Sequence, residues 1–300
     1  MGSAGRSMRR SGTRLAEPTR AGTPARLAGL LGDTAERDYS EKLGLFNAFA
    51  EPELRSAIAI LGLKPRMRVL DAGCGTGEAL TWLLDAVVPG GEVIGFDLAS
   101  AHASSARKRL AAAALVLQAD LLQPPFPSGC FDLVWCVNTI NHLRDPIRGV
   151  TGLAALLRPG GRVALGQSSL LPDMYFAWDA RLERLTNEAV RRYYRDRYHI
   201  GERDLTSVRS IVGLMRRVGL HNVAPRTFVI ERISPLRPAD EAYLCEGIFR
   251  KTWGERLRPY LSDPDYAEVA RLCDPEQPQF ALRRPDFHFL QCFTLVTGEI

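Results

Sequence analysis

The sequence lacks the marks of several protein classes. No apolar run reaches the roughly 18 residues that a membrane-spanning helix needs, which predicts a chain without a transmembrane segment. The six cysteines form no C-x-x-C pair and no zinc spacing, so we expect reduced thiols, a cytoplasmic location and no metal site. No internal repeat is present either. These absences leave a globular protein with 46% hydrophobic residues, enough for a buried core.

The part of the chain expected to fold also lacks a surplus of basic residues. The formal net charge of +5 arises entirely within residues 1–32, where six arginines face one acidic residue. Residues 33–300 hold 33 basic and 33 acidic side chains, which argues against a nucleic-acid binder. Because residues 1–32 have almost no large apolar side chains, they are predicted to form a disordered tail, with an organellar transit peptide as the alternative.

The most informative stretch reads Val-Leu-Asp-Ala-Gly-Cys-Gly-Thr-Gly over residues 69–77. The apolar residues that lead into Asp71 predict a buried strand, and the alternating glycines predict a tight turn into a helix. Glycines let a ligand lie against the main chain, and the free N–H groups of a helix N-terminus face an anionic group. A nicotinamide or flavin site usually shows G-x-G-x-x-G, which differs from the spacing here. An ordinary βα turn is the alternative.

Two further acidic residues follow later predicted strands. Strand 92–96 ends at Asp97, and strand 115–119 ends at Asp120. Ligands in open α/β sheets bind at the carboxyl ends of the strands, where a carboxylate can accept both hydroxyls of a ribose. Asp97 is therefore a candidate ribose ligand, with a helix N-cap as its alternative role.

The remaining apolar runs predict further strands and helices. Strands are expected at 68–72, 131–137, 162–166, 222–232 and 287–297, and residues 206–218 are expected to form an amphipathic helix. Residues 38–49 and 52–62 are predicted as two helices ahead of the first strand, with Pro52 opening the second. Two or three helices are expected within 238–274.

Residues 65–168 resemble the class I methyltransferases that use S-adenosyl-L-methionine (SAM), of the ubiquinone/menaquinone-biosynthesis type with methyltransferase domain 11/25. The resemblance is carried by the glycine turn, Asp97, Asp120 and the Arg-Pro-Gly-Gly turn at 158–161, in this order. The Asn-Pro-Pro-aromatic motif of adenine and glutamine methyltransferases is absent. The resemblance implies an α/β, Rossmann-like, seven-stranded sheet that is mostly parallel with an antiparallel last strand and is flanked by helices.

The resemblance also implies SAM as cofactor and S-adenosyl-L-homocysteine as product. Asp120 is expected near the adenine amine, with apolar neighbours around the base, and Tyr39 near the methionine end. The implied cofactor residues are Tyr39, Asp71, Gly73, Gly75, Gly77, Asp97, Leu98, Asp120, Leu121 and Asn138.

The acceptor site is expected under two helical lid insertions, 172–205 and 238–274, of a single methyltransferase domain over 33–300. The first insertion is rich in aromatic residues, and Tyr175, Phe176 and Trp178 are predicted to touch the acceptor. The alternative is that these aromatic side chains simply pack the insertions onto the sheet.

A general base is expected among the histidines. His142 follows the fourth strand and is the first candidate, with bracing of its loop as the alternative role. His199 is the second candidate. The other three histidines, His102, His221 and His288, are interpreted as structural or surface groups.

The predicted function is methyl transfer from SAM to an O, N or C nucleophile of a small molecule, such as a secondary metabolite or a quinone-like acceptor. A homodimer is compatible with the sequence. One alternative is an RNA methyltransferase, for which the Arg-Arg-Tyr-Tyr-Arg run at 191–195 is the best argument. The other is a SAM-fold protein without methyl transfer, either a cyclase or a regulatory binder.

Overall fold

Strands and helices alternate along most of the chain in the computed structural model. The structure describes residue 1 and residues 29–31, 33–168, 175–176, 179–200 and 207–300. Within these residues, no helix is both long enough and apolar enough to cross a membrane.

The strands are β1 Arg68–Ala72, β2 Glu92–Asp97, β3 Leu115–Gln118, β4 Phe131–Val137, β5 Leu157–Ser168, β6 Tyr175–Phe176, β7 His221–Ile233 and β8 His288–Glu299. The α-helices are α1 Ser40–Ala59, α2 Glu78–Val87, α3 Ser100–Leu110, α4 Pro146–Ala155, α5 Ala180–Tyr198, α6 Ser207–Arg217, α7 Pro238–Ala242, α8 Gly254–Leu257 and α9 Asp263–Cys273. Short 3₁₀ helices cover Ile140–His142, Arg258–Tyr260 and Ala281–Arg283.

All eight strands belong to one sheet, and seven of them follow the order β3-β2-β1-β4-β5-β8-β7. The first five pair in parallel, and β8 runs antiparallel to β5 and to β7. The predicted Rossmann-like sheet, mostly parallel with an antiparallel last strand, is confirmed. The structure adds β6, a strand of 2 residues that pairs with Phe289 and Leu290 of β8.

Successive residues of the central strands pack on opposite faces of the sheet. On β4, Leu133 and Trp135 belong to the core beneath α1, α2 and α3, whereas Val134 belongs to the core beneath α4 and α6. None of these three side chains is more than 1% exposed. Burial on both faces explains the continuous apolar run of this strand. The carboxyl ends of the parallel strands are thereby held together at one edge of a rigid sheet.

The chain forms one helix where the sequence predicts two. Pro52 is predicted to open a second helix, yet α1 continues through it. The buried side of α1 includes Phe49 before the proline and Leu54 and Ile58 after it. Packing of this continuous apolar face outweighs the roughly 3 kcal/mol that an interior proline costs.

The segment between β7 and β8 is largely helical, as predicted for residues 238–274. It includes α7, α8, α9 and a π-helix of 11 residues over Tyr243–Trp253. Phe249 and Trp253 of the π-helix lie against Phe176 of β6, with ring centroids 5.7 and 5.3 Å apart. Aromatic packing thus joins the insertion to the edge of the sheet.

A buried cluster of ion pairs fastens α1 to β7 and α7. Arg232 of β7 donates two hydrogen bonds to the carboxylate of Glu53, at 2.8 and 2.9 Å, and one to Asp240 Oδ1 at 2.8 Å. Its guanidinium also donates to the carbonyl oxygen of Phe49. Burial by itself would raise the pKa of Asp240, but hydrogen bonds from Arg237 and Arg232 outweigh it and hold the pKa below its ordinary value.

We expect Arg232→Met to lower the free energy of unfolding by roughly 3–5 kcal/mol, because it leaves buried carboxylates without their partner. Urea unfolding of the purified protein measures this loss. The matched control is Arg250→Met, since Arg250 is exposed and, in the part of the chain that the structure describes, forms an ion pair with Glu246 one helical turn away. That change should cost about 0.5 kcal/mol or less. Similar losses in the two variants would contradict a structural role for the buried cluster.

Candidate active site

A cavity of about 560 Å³ opens at the carboxyl ends of the parallel strands. This volume lies within the roughly 300–1,000 Å³ typical of small-molecule sites. Its wall comes from the glycine turn, the ends of β1 to β4, the start of α1 and the loop after β4. The predicted site residues that line it are Tyr39, Asp71, Gly73, Gly75, Asp97, Leu98, Asp120, Leu121, Asn138 and His142.

The glycine turn lies against the end of β2 and the loop after β4. The backbone N–H groups of Gly73 and Cys74 both donate to the carbonyl oxygen of Phe96, at 2.8 and 2.9 Å. Gly73 has a φ of 84°, and a Cβ at this position would lie 2.3 Å from Thr139 Oγ1. Only glycine fits this close approach, as the sequence predicts.

Gly77 has a packing role, while its predicted contact with the cofactor stays a prediction. It is not among the lining residues of the cavity, although its φ of 88° supports the turn into α2. A Cβ at Gly77 would lie 2.9 Å from the Cβ of Ala106 on α3. Its missing side chain therefore allows α2 and α3 to pack closely.

Asp97 joins three parts of the cavity wall. Its Oδ2 accepts a hydrogen bond from Gly75 N at 2.9 Å, and its Oδ1 accepts one from Ala99 N at 2.9 Å. The Nδ1 atom of His102 lies 3.2 Å from the same Oδ1. The carboxylate is thus oriented from the turn, from the start of α3 and from within α3.

His102, interpreted from the sequence as a structural or surface group, is a buried group that orients Asp97 and is not among the lining residues of the cavity. Its side chain is 1% exposed, and its Nε2 accepts a hydrogen bond from Tyr39 N at 3.3 Å. Because Nε2 is an acceptor, the ring proton lies on Nδ1 and is donated to Asp97. Its position on the buried side of α3, soon after Asp97, is the sequence feature that could have indicated the contact with Asp97. The contact with Tyr39 could not be predicted from that position.

Asp71 at the end of β1 has a buried oxygen, Oδ2, with no hydrogen-bond partner among the described residues. Burial, with the charges of Asp97 and Glu78, raises the pKa of this carboxyl well above its ordinary value. An unpaired buried oxygen in a cavity wall is costly unless a ligand satisfies it. This arrangement fits a ligand with a hydrogen-bond donor or a positive charge at that point.

Apolar side chains flank the end of the cavity near β3. Leu98 and Leu121 both line it beside Asp120. Asp120 Oδ1 accepts a hydrogen bond from Leu122 N at 2.9 Å, which holds the carboxyl group in place. A flat, partly polar ring fits between such residues.

Near the end of β4, an N-terminal segment packs against His142. His142 Nδ1 lies 2.8 Å from Asp33 Oδ2, and Leu30 N donates to the carbonyl oxygen of His142 at 2.8 Å. Residues 29–31, placed in the tail by the sequence, therefore contact the site. The rest of the predicted tail, apart from Met1, lies outside the described residues. No sequence pattern could have predicted that Asp33 belongs to the site, because its partner His142 is 109 residues away along the chain.

Asn138 ties the end of β4 to β5. Its side-chain Oδ1 accepts a hydrogen bond from Ser168 N at 2.8 Å, and its own φ is 53°. Asn138 therefore lines the cavity while its amide oxygen is hydrogen-bonded to the backbone of β5.

The predicted acceptor and second base residues do not gather at the cavity. Phe176 is 5% exposed and packs in the aromatic core, because β6 pairs with β8 and draws its side chain there. His199 is exposed at the end of α5 and is not a lining residue. For Tyr175 the structure describes only the backbone, which pairs with Leu290. Trp178 lies outside the described residues.

Apolar lining residues of α1 and β4 were not predicted. Phe46 and Leu54 come from α1, and Trp135 and Val137 come from β4. Asn47 lies among them and donates to Glu78 Oε2 at 2.9 Å, which joins α1 to the start of α2. The helix packing, rather than any local motif, brings these side chains to the cavity.

Comparison with known proteins shows that part of this site lies in a stretch similar to a recognised family of domains. Residues 70–165 match the family model described as a methyltransferase domain. The 27-O-demethylrifamycin SV methyltransferase of Amycolatopsis mediterranei is 31% identical over 117 residues, which are 38% of this chain and 43% of that protein. The demethylmenaquinone methyltransferase of Thermus thermophilus is 35% identical over 114 residues, which are 37% of this chain and 51% of that protein. This chain spans about half the length of the curated relatives it matches.

A solved structure supports the same fold. Phosphoethanolamine N-methyltransferase 2 of Haemonchus contortus, in complex with SAM, has a TM-score of 0.50 at 17% identity. The match covers 86% of this chain and 57% of that chain. Together these findings confirm the predicted Rossmann-like methyltransferase fold and the predicted family resemblance, and they support SAM as the cofactor.

Lys42 on α1 is a half-buried cation without a carboxylate partner among the described residues. Its Nζ donates to Thr252 Oγ1 of the π-helix at 3.2 Å. Burial, together with the positive charges of Arg256, Arg37 and Lys251, lowers the pKa of Lys42 to about 8. The ammonium group is therefore less stable in the folded protein than in the unfolded chain.

We expect this lysine to make stability rise with pH. The unfolded chain keeps the Lys42 proton up to about pH 10.4, so between about pH 8 and that value it binds more protons than the folded protein. Lys42 therefore adds a positive pH slope to stability across this window, so the slope should be more positive in the wild type than in Lys42→Met. Urea midpoints measured at several pH values test this, with the exposed Lys64→Met as control. Equal pH slopes in the wild type and Lys42→Met would refute the shift.

Proposed function

We propose that this chain, which carries a methyltransferase domain over residues 70–165, transfers a methyl group from SAM to an O, N or C atom of a small-molecule acceptor. The observation that carries the proposal is the convergence of the glycine turn, Asp71, Asp97 and Asp120 on one cavity. These residues come from the ends of three successive strands, where α/β folds bind nucleotides.

Different residues of the cavity wall suit the ribose, the adenine and the amino-acid part of SAM. Asp97 offers a carboxylate for the ribose hydroxyls, and Asp120 with its apolar neighbours suits adenine. The backbone of Gly73 and Gly75 permits close approach of the amino-acid part, and the unpaired Oδ2 of Asp71 suits its ammonium group. Bound there, SAM supplies an electrophilic methyl group.

The protein's own contribution is positioning, exclusion of water and proton removal. A phenol, alcohol or protonated amine must lose a proton before or during methyl transfer. His142 lines the cavity, and its Nε2 has no partner among the described residues. We therefore assign His142 as the general base for acceptors of this kind, whereas His199 at the exposed end of α5 has no contact that supports such a role.

The acceptor is proposed to be an apolar secondary metabolite or a quinone-like compound. The printed names of the relatives refer to a demethylrifamycin and to demethylmenaquinone. The apolar lining from α1 and β4 is compatible with such molecules. We propose that residues 172–205 and 238–274 cover the acceptor, that the enzyme acts in the cytoplasm, and that no metal takes part.

Neither alternative function is favoured by a specific contact. In the run at 191–195, Tyr193 packs against Tyr194 and Tyr260, with ring centroids 5.8 and 6.4 Å apart. These rings are engaged in packing α5 onto the insertion, which reduces their availability for stacking on RNA bases. A cyclase would form an isomer of its substrate, and a regulatory protein would leave the small molecule unaltered, so in neither case would a small molecule gain the mass of a methyl group.

The direct test is a mass-spectrometric screen of cell extracts and quinone or polyketide libraries with SAM that carries a deuterated methyl group. We expect at least one small molecule to gain a deuterated methyl group in the presence of the enzyme. An isomerised product without the label would support the cyclase alternative. Labelled RNA without labelled small molecules would support the RNA alternative.

We expect Asp97→Ala to weaken SAM binding by roughly 1.5–3 kcal/mol, because it removes charge-assisted hydrogen bonds to the ribose. Calorimetric titration with SAM measures the loss. The control is Asp85→Ala, a carboxylate that is 65% exposed on α2. Unchanged SAM affinity in Asp97→Ala would remove Asp97 from the cofactor site.

For an acceptor that ionises, we expect His142→Ala to lower turnover by about 10²–10⁴-fold while SAM still binds. The exposed His221→Ala serves as the control. Rates are measured on the acceptor found in the screen, and SAM affinity is measured by calorimetry. A lower melting temperature with unchanged turnover would instead assign His142 to bracing of the loop.

A further inference from the structure

Two histidine–aspartate pairs lie at the wall of the cavity, and they differ in one respect. In the pair of His102 and Asp97, both ring nitrogens are engaged, since Nε2 accepts from Tyr39 N. In the pair of His142 and Asp33, Nδ1 is engaged and Nε2 has no partner among the described residues. Only His142 therefore has a ring nitrogen available to a ligand in the cavity.

Asp33 is held in place by several contacts. Its Oδ1 accepts from Arg37 Nη1 at 3.1 Å, and its carbonyl oxygen accepts from Gly29 N at 2.9 Å. Its side chain is 10% exposed, against 25% for His142. The hydrogen bond from Leu30 N to the carbonyl oxygen of His142 fixes the backbone of the histidine as well. Both members of the pair are thus restrained from the same N-terminal segment.

The carboxyl group of Asp33 is ionised near neutral pH. Burial by itself would raise the pKa of Asp33, but the hydrogen bond and electrostatic contact with His142 and the charge of Arg37 outweigh it and lower the pKa below its ordinary value. An ionised carboxylate only accepts hydrogen bonds, so the proton between the two residues belongs to Nδ1 of the imidazole. In the neutral ring, Nε2 then carries a free lone pair.

We propose that Asp33 is a positioning residue that holds His142 in the Nδ1–H tautomer, so that Nε2 accepts the proton of the methyl acceptor. This inference rests on the proposed function. As the acceptor oxygen bonds to the methyl carbon, the bond between that carbon and sulfur breaks and S-adenosyl-L-homocysteine leaves. The acceptor proton moves to Nε2, and the resulting imidazolium keeps its second N–H on Asp33.

The pair is not equivalent to a contact that only braces the loop. A bracing role also needs the hydrogen bond to the Asp33 carboxylate, and therefore the same Nδ1–H tautomer, but it requires no proton transfer at Nε2. An unconstrained neutral imidazole in water favours the Nε2–H tautomer, which cannot accept a proton at that atom. The proposed role therefore requires a persistent Nδ1–H tautomer, and a loss of kcat without loss of SAM binding distinguishes that role from bracing.

The first test is long-range ¹H–¹⁵N NMR of the full chain at about pH 8.5, where unperturbed histidines are neutral. His142→Gln identifies the His142 signals. In the wild type we expect Nδ1 protonated and Nε2 bare, and in Asp33→Ala a shift toward Nε2–H. The His102 signals should stay the same, which reports an intact fold. The control Asp286→Ala, an exposed carboxylate, should leave both rings unchanged.

The second test separates positioning from folding. With the acceptor from the screen, Asp33→Ala is expected to lower kcat by about 10–100-fold with little change in KM for SAM. Asp33→Asn keeps the shape without the charge, and we expect it to lower kcat as well. An unchanged tautomer in Asp33→Ala, or wild-type kcat in both variants, would overturn the proposal. Calorimetry with SAM is independent of these results, so failure of SAM binding would count against the proposed function alone.

Discussion

The carboxylate of Asp97 is the constraint on which the cavity depends. Its two oxygens accept hydrogen bonds from Gly75 of the glycine turn and from Ala99 at the start of α3. Through His102, the same carboxylate is also connected to Tyr39, the residue before α1. These contacts draw together elements that are separated along the chain. The same carboxylate keeps lone pairs for a ligand, so one group both shapes the wall and offers a binding site.

Helix α1 connects this constraint to the rest of the fold. One side of the helix lines the cavity, and its buried residue Phe49 stacks on Tyr243 of the π-helix at 4.4 Å between centroids. Below it, the guanidinium of Arg232 binds the helix through Glu53 and the backbone. The helix therefore cannot shift without disturbing β7 and the insertion. The cavity geometry and the stability of the fold are coupled through this one element.

The sequence predicted the placement of the acidic residues at the cavity better than the placement of the aromatic residue Phe176. Asp71 and Asp97 lie at the carboxyl ends of β1 and β2, and Asp120 lies just after β3, and a parallel sheet brings the ends of its strands to one edge. Their place in the fold is a consequence of local pattern and topology. Phe176 carried no such pattern, since aromatic residues suit a core and a ligand site equally well. It lies in the core because β6 happens to pair with β8.

By itself, the sequence determined the individual strands of the parallel sheet, the conformation of the glycine turn and the positions of the acidic residues at the strand ends, whereas the Rossmann-like topology was expected from the family resemblance. The strands, the turn and these positions depend on hydrophobic periodicity, on backbone sterics and on the spacing of neighbouring residues, all of which are local. Only the tertiary structure decided that Pro52 lies within one helix, and that Asp33 meets His142 across 109 residues. Such contacts depend on how packed elements meet, and no local pattern encodes a partner so distant in the chain.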